Sequence, residues 1–186
     1  MKYKELKLEE IERNLFLHFE RHQVVQKCWR KVNNKWTIQD APFIDQWSEE
    51  DYNILIKCLK NTIQTGGIVF GAFLEGQLKG FASVESALFG KNQEYMDLSS
   101  IHVSEDMRGH GIGKQLFQLA AAWAKSNGAE KLYISAHSAV ESQAFYHAMG
   151  CVEAVEYKKE HVEQEPYDCQ LSLIHISEPT RPISIW

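Results

Sequence analysis

Apolar and polar positions alternate along the chain in a way that predicts short strands and amphipathic helices in turn. Residues 3–7 read as a short first strand. From Leu8 the spacing of Ile11, Leu15, Phe16 and Phe19 puts four apolar residues on one face of a helix. Residues 24–47 carry no clean period. There Trp29, Trp36, Phe43 and Trp47 surround Pro42, which predicts an irregular aromatic loop pinned to the core or walling a substrate pocket. Ser48-Glu-Glu-Asp51 then opens a helix, with Ser48 as N-cap and Asp51 in the place where a capping box prefers Glu or Gln. Tyr52, Leu55, Ile56, Leu59 and Ile63 continue its stripe, and Gly66-Gly67 ends it.

Two apolar runs, 67–74 and 78–85, flank Glu75-Gly-Gln77 and predict a β-hairpin. A loop over 87–94 leads to a strand over 95–103. Beyond a glycine-rich turn, Ile112, Leu116, Leu119, Ala120 and Trp123 share one helical face, which stops at Asn127-Gly128. Residues 131–136 read as a strand, so 95–136 form a strand–helix–strand unit whose two strands run parallel. A short helix from about 139 to 149 ends at Gly150, and 151–157 and 167–171 read as strands around a polar loop with Pro166. The order is β, α, α, β, β, β, α, β, α, β, β.

At 186 residues, 44% hydrophobic and 24% charged, the chain suits one domain with a substantial core. A net charge of −5 leaves no basic footprint for nucleic acid and is compatible with a cationic substrate. The charged start lacks the apolar core of a signal peptide, and no apolar run nears the roughly 18 residues of a spanning helix, so no membrane partner is expected. Cys28, Cys58, Cys151 and Cys169 are far apart in sequence and read as reduced thiols of a cytoplasmic protein. The eight histidines form no ligand-spaced pair, so no metal is expected.

The chemistry concentrates in Arg108-Gly-His-Gly-Ile-Gly113, at the passage from strand to helix. Alternate glycines bare the backbone, and the first-turn N–H groups of a helix favour an anion. A P-loop reading fails because Arg108 stands where the first glycine belongs and Gln115 replaces Ser or Thr. The dinucleotide fingerprint G-x-G-x-x-G fails because Lys114 or Leu116 falls on its last position. What fits is R-x-x-G-x-G, with Arg108, Gly111 and Gly113.

This turn resembles the acetyl-CoA pyrophosphate loop of the GNAT superfamily of N-acetyltransferases. Ile101-His-Val-Ser-Glu-Asp-Met-Arg-Gly-His-Gly-Ile-Gly113 is similar to the family's strand-to-loop segment. Ala144-Phe-Tyr-His-Ala-Met-Gly-Cys151 is similar to its helix ending in F-Y-x-x-x-G-F. The element order also matches, over residues 3 to about 171. The resemblance implies the α/β (α+β) acyl-CoA N-acyltransferase fold, with a mixed central sheet of six to seven strands and about four helices.

It further implies acetyl-CoA as cosubstrate and, as acceptor, the primary amine of a small molecule or peptide. The pyrophosphate would rest on Arg108, Gly109, Gly111, Ile112, Gly113 and Lys114, and the pantetheine arm on Ile101 and Val103, with the Val103 amide as oxyanion donor. Tyr146 matches the tyrosine that protonates the departing thiolate. Asp97, six residues before Val103 and on the same face by a period of two, is the expected base, with Glu94, Glu85 and His102 behind it. The family's asparagine for the CoA arm is replaced by Ala139, which turns attention to Ser138, Glu141 and Ser142, and Cys151 stands where phenylalanine is usual. A cationic acceptor is expected between the 29–47 stretch and the strand of Asp97, drawn by its aromatic faces and by Asp45, Glu49 and Glu50. A catalytically idle CoA-binding sensor is the alternative, a nucleotide-binding protein the third reading, and a homodimer is left open. Residues 1–170 are expected to form the single domain. The segment 171–186 resembles translated sequencing adapter and is expected to be a non-native read-through tail.

Overall fold

The computed structural model describes residues 1–174. Strand β1 (Lys2–Glu5) leads into two 3-10 turns, Leu8–Glu10 and Arg13–Phe16, where the apolar spacing predicts one helix. Ile11, Phe16 and Phe19 are buried as that spacing requires. Two tight turns satisfy it equally well, and Ile11, at ψ 86°, breaks the run between them.

The supposed aromatic loop is a long antiparallel hairpin of β2 (His22–Val32) and β3 (Lys35–Gln46). Its two-residue turn, Asn33-Asn34, has φ of 51° and 61°, the left-handed pair that matches strand twist. The period is hidden for two reasons: a bulge between Val25 and Lys27 shifts the register, and the hairpin forms a sheet of its own with most of β3 exposed.

Helix α1 (Glu49–Gln64) begins as expected, with the Asp51 N–H donating to Ser48 Oγ at 3.2 Å and the Ser48 N–H to Asp51 Oδ2 at 2.8 Å. Strands β4 (Ile68–Leu74) and β5 (Gln77–Val84) form the expected hairpin. There follow β6 (Tyr95–Val103), α2 (Ile112–Ser126), β7 (Lys131–Ala136) and α3 (Val140–Ala148). The expected strand 151–157 shrinks to β8 (Val152–Glu153), the polar loop contains α4 (Lys159–Gln164), and β9 (Cys169–Leu173) closes the described chain.

Among the described residues seven strands make one mixed sheet in the order β1-β4-β5-β6-β7-β9-β8. Alternate residues feed two cores. Val69, Leu78 and Phe81 join Leu59 of α1, whereas Ile68, Ala82, Leu98 and Ile134 join Ile112, Leu116 and Ala120 of α2. At Gly80 a Cβ would stand 2.8 Å from Ile112 Cγ2 and 2.9 Å from Leu116 Cδ1, so α2 lies directly on β5. Leu171–Leu173, inside the expected tail, pair with Ile134–Leu132 in β9, while residues from 175 onward lie outside the described residues. Among the described residues no helix is long and apolar enough to cross a membrane.

Two features of β6 shape the site. It pairs with β7 only through Tyr95↔Lys131, Met96↔Leu132 and Asp97↔Tyr133, so the two strands part from Leu98 onward. Against β5, Val84 faces Leu98 but Ser83 faces Ser100, so Ser99 is an extra, bulged residue.

Candidate active site

Beyond Asp97 the β7-side edge of β6 has no strand partner among the described residues, and a cleft of about 850 Å³ opens there. The Ser104 N–H donates to Lys79 O of β5 at 2.8 Å. By alternation along an antiparallel ladder, His102 also faces β5, and Ile101 and Val103 aim their N–H groups into the cleft. Both residues line it.

At the end of the cleft lies the glycine turn. Gly109 and Gly111 have φ of 81° and 78°, and Gly111 is the N-cap of α2. A Cβ at either would meet nothing within 4 Å, so the demand for glycine there is torsional and the space in front of the backbone is open. Among the described residues no side chain caps α2, and no acidic residue occupies its first turn, which leaves its leading N–H groups and the positive end of its dipole to the cleft. Arg108 and Lys114 flank the turn and line the same space. The preceding segment is held by a buried Lys79, whose ammonium donates to Asp106 at 2.7 Å while Ser104 Oγ donates to the same carboxylate at 2.5 Å.

Tyr146 comes from α3, its ring 5.2 Å from Phe145 and 6.5 Å from Phe117. Burial, reinforced by Cys151 and Asp168, raises its hydroxyl well above the usual phenol range, so it stays protonated. Ser142 lines the cleft one turn earlier. His102 lies between Trp47 (4.8 Å) and Phe81 (5.4 Å). Burial, with Arg21, Arg108 and His137 adding, pushes its imidazole down to about 3, so it is neutral.

Two expected site residues are not brought to this cleft. The Ser99 bulge breaks the period of two, so Asp97 shares a face with His102 and not with Val103. It is 3% exposed, and its Oδ2 lies 2.5 Å from His161 Nε2 and 3.3 Å from Lys158 Nζ. Ser138 is spent on the hairpin. Its Oγ accepts from Arg30 at 2.7 Å and its carbonyl from the Trp29 N–H at 2.8 Å. Ile101, Val103, Arg108, Gly109, Gly111, Ile112, Gly113, Lys114, Ser142 and Tyr146 do surround one space.

The aromatic stretch contributes less than expected. Trp47 lines the cleft, but Trp29 and Trp36 pack against the core and Phe43 lies tilted against His137 at 5.4 Å. Asp45 is neutralised by Arg21 at 2.6 Å, and Glu49 pairs with Arg13 outside the cleft. Sequence reasoning missed the opposite wall, where Glu165 and Asp168 enter from the segment before β9 and His137 from the end of β7. Asp168 Oδ2 accepts from Ser135 Oγ at 3.1 Å. Burial raises its carboxyl above the usual aspartate range against the lowering pull of that hydrogen bond. No spacing in the sequence marks it.

A mixed sheet that parts beside an uncapped helix N-terminus defines the acyltransferase class of fold. The family model described as "Acetyltransferase (GNAT) family" matches residues 32–151, and the chain belongs to that family. Nourseothricin acetyltransferase shares the fold at a TM-score of 0.61 and 16% identity, over 92% of this chain and 95% of that one. A Bacillus anthracis protein assigned as a streptothricin acetyltransferase, in complex with acetyl coenzyme A, gives 0.64 and 21% over the same shares. PaiA N-acetyltransferase from Thermoplasma acidophilum, in complex with coenzyme A, gives 0.57 and 16% over 94% and 98%. A curated relative, the uncharacterized N-acetyltransferase YobR of Bacillus subtilis, is 45% identical over 40 residues, which span 22% of this chain and 16% of that protein.

Proposed function

We propose that the chain transfers the acetyl group of acetyl-CoA to a primary amine of a small molecule or peptide. The observation that carries this reading is the parted β6/β7 edge, where the free Ile101 and Val103 amides run toward the uncapped start of α2 and Tyr146 stands on the opposite wall. The residues fit the cosubstrate. Open backbone at Gly109 and Gly111, the N–H groups of Ile112 and Gly113 and the charges of Arg108 and Lys114 suit a pyrophosphate. Ile101 and Val103 suit the amide-rich arm, and Ser142 stands beside its path.

Bound acetyl-CoA supplies an activated acetyl thioester. Val103 N–H donates to the carbonyl oxygen as negative charge develops there. Tyr146, a neutral phenol, protonates the departing thiolate sulfur. The cleft walls hold amine and acetyl carbon together, which supplies much of the acceleration. The described cysteines are free thiols, in keeping with the cytoplasm as the place of action.

The test is thiol release from acetyl-CoA by the purified chain across a panel of primary amines and peptides. Saturable, amine-dependent release is expected. Tight acetyl-CoA binding with no release across the panel would favour the idle sensor instead.

A further inference from the structure

Acetylation of an alkylamine at neutral pH needs a group to take the ammonium proton, since the amine's pKa is about 10. Asp97, the residue expected to do so, is outside the cleft. The cleft offers six other titratable candidates, and their surroundings separate them. Asp45 is already neutralised by Arg21 at 2.6 Å. Glu141 and Glu165 are exposed to solvent, with no side chain among the described residues holding either carboxylate in place. His102, pushed down to about 3, is too weak a base. His137 spends its Nδ1 lone pair on the Ala139 N–H at 3.0 Å, which leaves the proton on Nε2. Asp168 remains: a half-buried carboxylate on the cleft wall, oriented by Ser135 and sharing the space with Tyr146 and Val103.

We propose that Asp168 is the catalytic base that accepts the proton of the incoming amine. The assignment rests on the acetyl-transfer reading above. The proton passes from the ammonium to Asp168, and the freed nitrogen lone pair attacks the thioester carbonyl carbon. The C–N bond forms and the C–S bond breaks, with its electron pair leaving on sulfur. Tyr146 protonates that sulfur and regains a proton as the new amide nitrogen loses its extra one. Asp168 returns its proton to solvent, so each turnover yields amide, free thiol and one proton. The position is chemically apt as well as geometrically open, because burial raises the Asp168 carboxyl above the usual aspartate range and so makes its carboxylate a stronger base. The groups facing it are Glu165 from its own segment, His137 from the β7–α3 connection, His161 from α4 and Tyr146 from α3.

The sign of the pH effect follows. Asp168 acts only when ionised, so kcat/KM falls as pH drops through its pKa. Ser135 Oγ stabilises the carboxylate, so Ser135→Ala moves this acid limb to higher pH without removing the base. Asp168→Asn should lower kcat/KM for the best primary alkylamine of the panel by about 10²–10⁴-fold. Its β-trifluorinated counterpart, far less basic and largely neutral already, should lose less than about tenfold, because less depends on proton removal. Acetyl-CoA affinity should stay within about threefold in both variants, since neither side chain is placed on the cofactor.

An active wild type whose Asp168→Asn variant keeps its rate, or loses equally for both amines, overturns the assignment alone. So does an acid limb unmoved in Ser135→Ala, a variant whose fold does not depend on replacing a buried charge. A wild type that binds acetyl-CoA but releases no thiol with any amine overturns the acetyl-transfer reading, and the base with it.

Discussion

Replacing Gly111 separates three effects that the glycine turn combines. Its φ of 78° is left-handed, which costs an L-residue about 1–2 kcal/mol. For a chain of this size a loss of 1 kcal/mol lowers Tm by about 2–4 °C, so Gly111→Ala should melt about 2–8 °C below wild type. No clash adds to this, since a Cβ there meets nothing within 4 Å. Asn and Asp tolerate the left-handed region better, so Gly111→Asn and Gly111→Asp should melt closer to wild type. The Asn variant then measures the bulk of a side chain in front of the pyrophosphate. The Asp variant adds one negative charge to that bulk. Two unit charges about 4 Å apart repel by about 1 kcal/mol in water and about 4 kcal/mol at an effective dielectric of 20. Gly111 is exposed, so the lower part of that range applies, and Asp should bind acetyl-CoA about 5- to 100-fold more weakly than Asn. Calorimetric titration at low and high salt reads the difference, which should shrink as salt screens it. If folded Gly111→Asp binds acetyl-CoA as tightly as wild type, the pyrophosphate does not lie at this turn.

Three other substitutions test the remaining assignments. Tyr146→Phe keeps the ring packing against Phe117 and Phe145 and should lower kcat by about 10²–10⁴-fold with little change in Tm or acetyl-CoA affinity; single-turnover kinetics at the wild-type rate would remove the phenol from the mechanism. Asp97→Asn leaves His161 and Lys158 without their carboxylate and should cost about 1–3 kcal/mol of stability while kcat/KM stays within about threefold. A rate loss of 100-fold or more at unchanged Tm would return Asp97 to the chemistry. Ser138→Ala removes one of the two acceptors of Arg30 and should loosen the hairpin, seen as faster hydrogen exchange in β2, with acetyl-CoA affinity unchanged; weakened affinity alone would place Ser138 on the CoA arm after all.

How much was legible in the sequence depended on whether an element's burial is one-sided and uninterrupted. The β4–β5 hairpin and the strand–helix–strand unit could be read because their strands and helix contribute continuous apolar faces to two cores. The glycine turn could be read because its torsions demand glycine. The β2–β3 hairpin could not, since it meets the core at only a few residues, Trp29 and Trp36 among them, most of β3 is exposed, and its bulge breaks what alternation there is. The same physics misplaced Asp97. Leu98-Ser-Ser100 looks like ordinary strand, yet Ser99 is extra. Its hydroxyl lies 2.7 Å from Ser83 Oγ and 2.7 Å from Glu85 Oε1, contacts that hold the bulge against β5. One inserted residue turns Asp97 away from Val103. It also falls where β6 leaves β7, just after the last paired residue. The opening of the cleft and the loss of Asp97 from it therefore coincide at one place in the strand. On the assignment proposed above, the carboxylate for the amine comes from beyond β6, from the segment before β9, whose Asp168 lines the cleft. Restoring the ladder tests this connection: deleting Ser99 removes the extra residue, leaves Asp97 on the face of His102, and should let β6 stay paired with β7 beyond Asp97, closing the cleft and abolishing acetyl-CoA binding. Retained acetyl-CoA binding in a folded Ser99-deleted chain would show that the parting of β6 and β7 does not depend on the bulge.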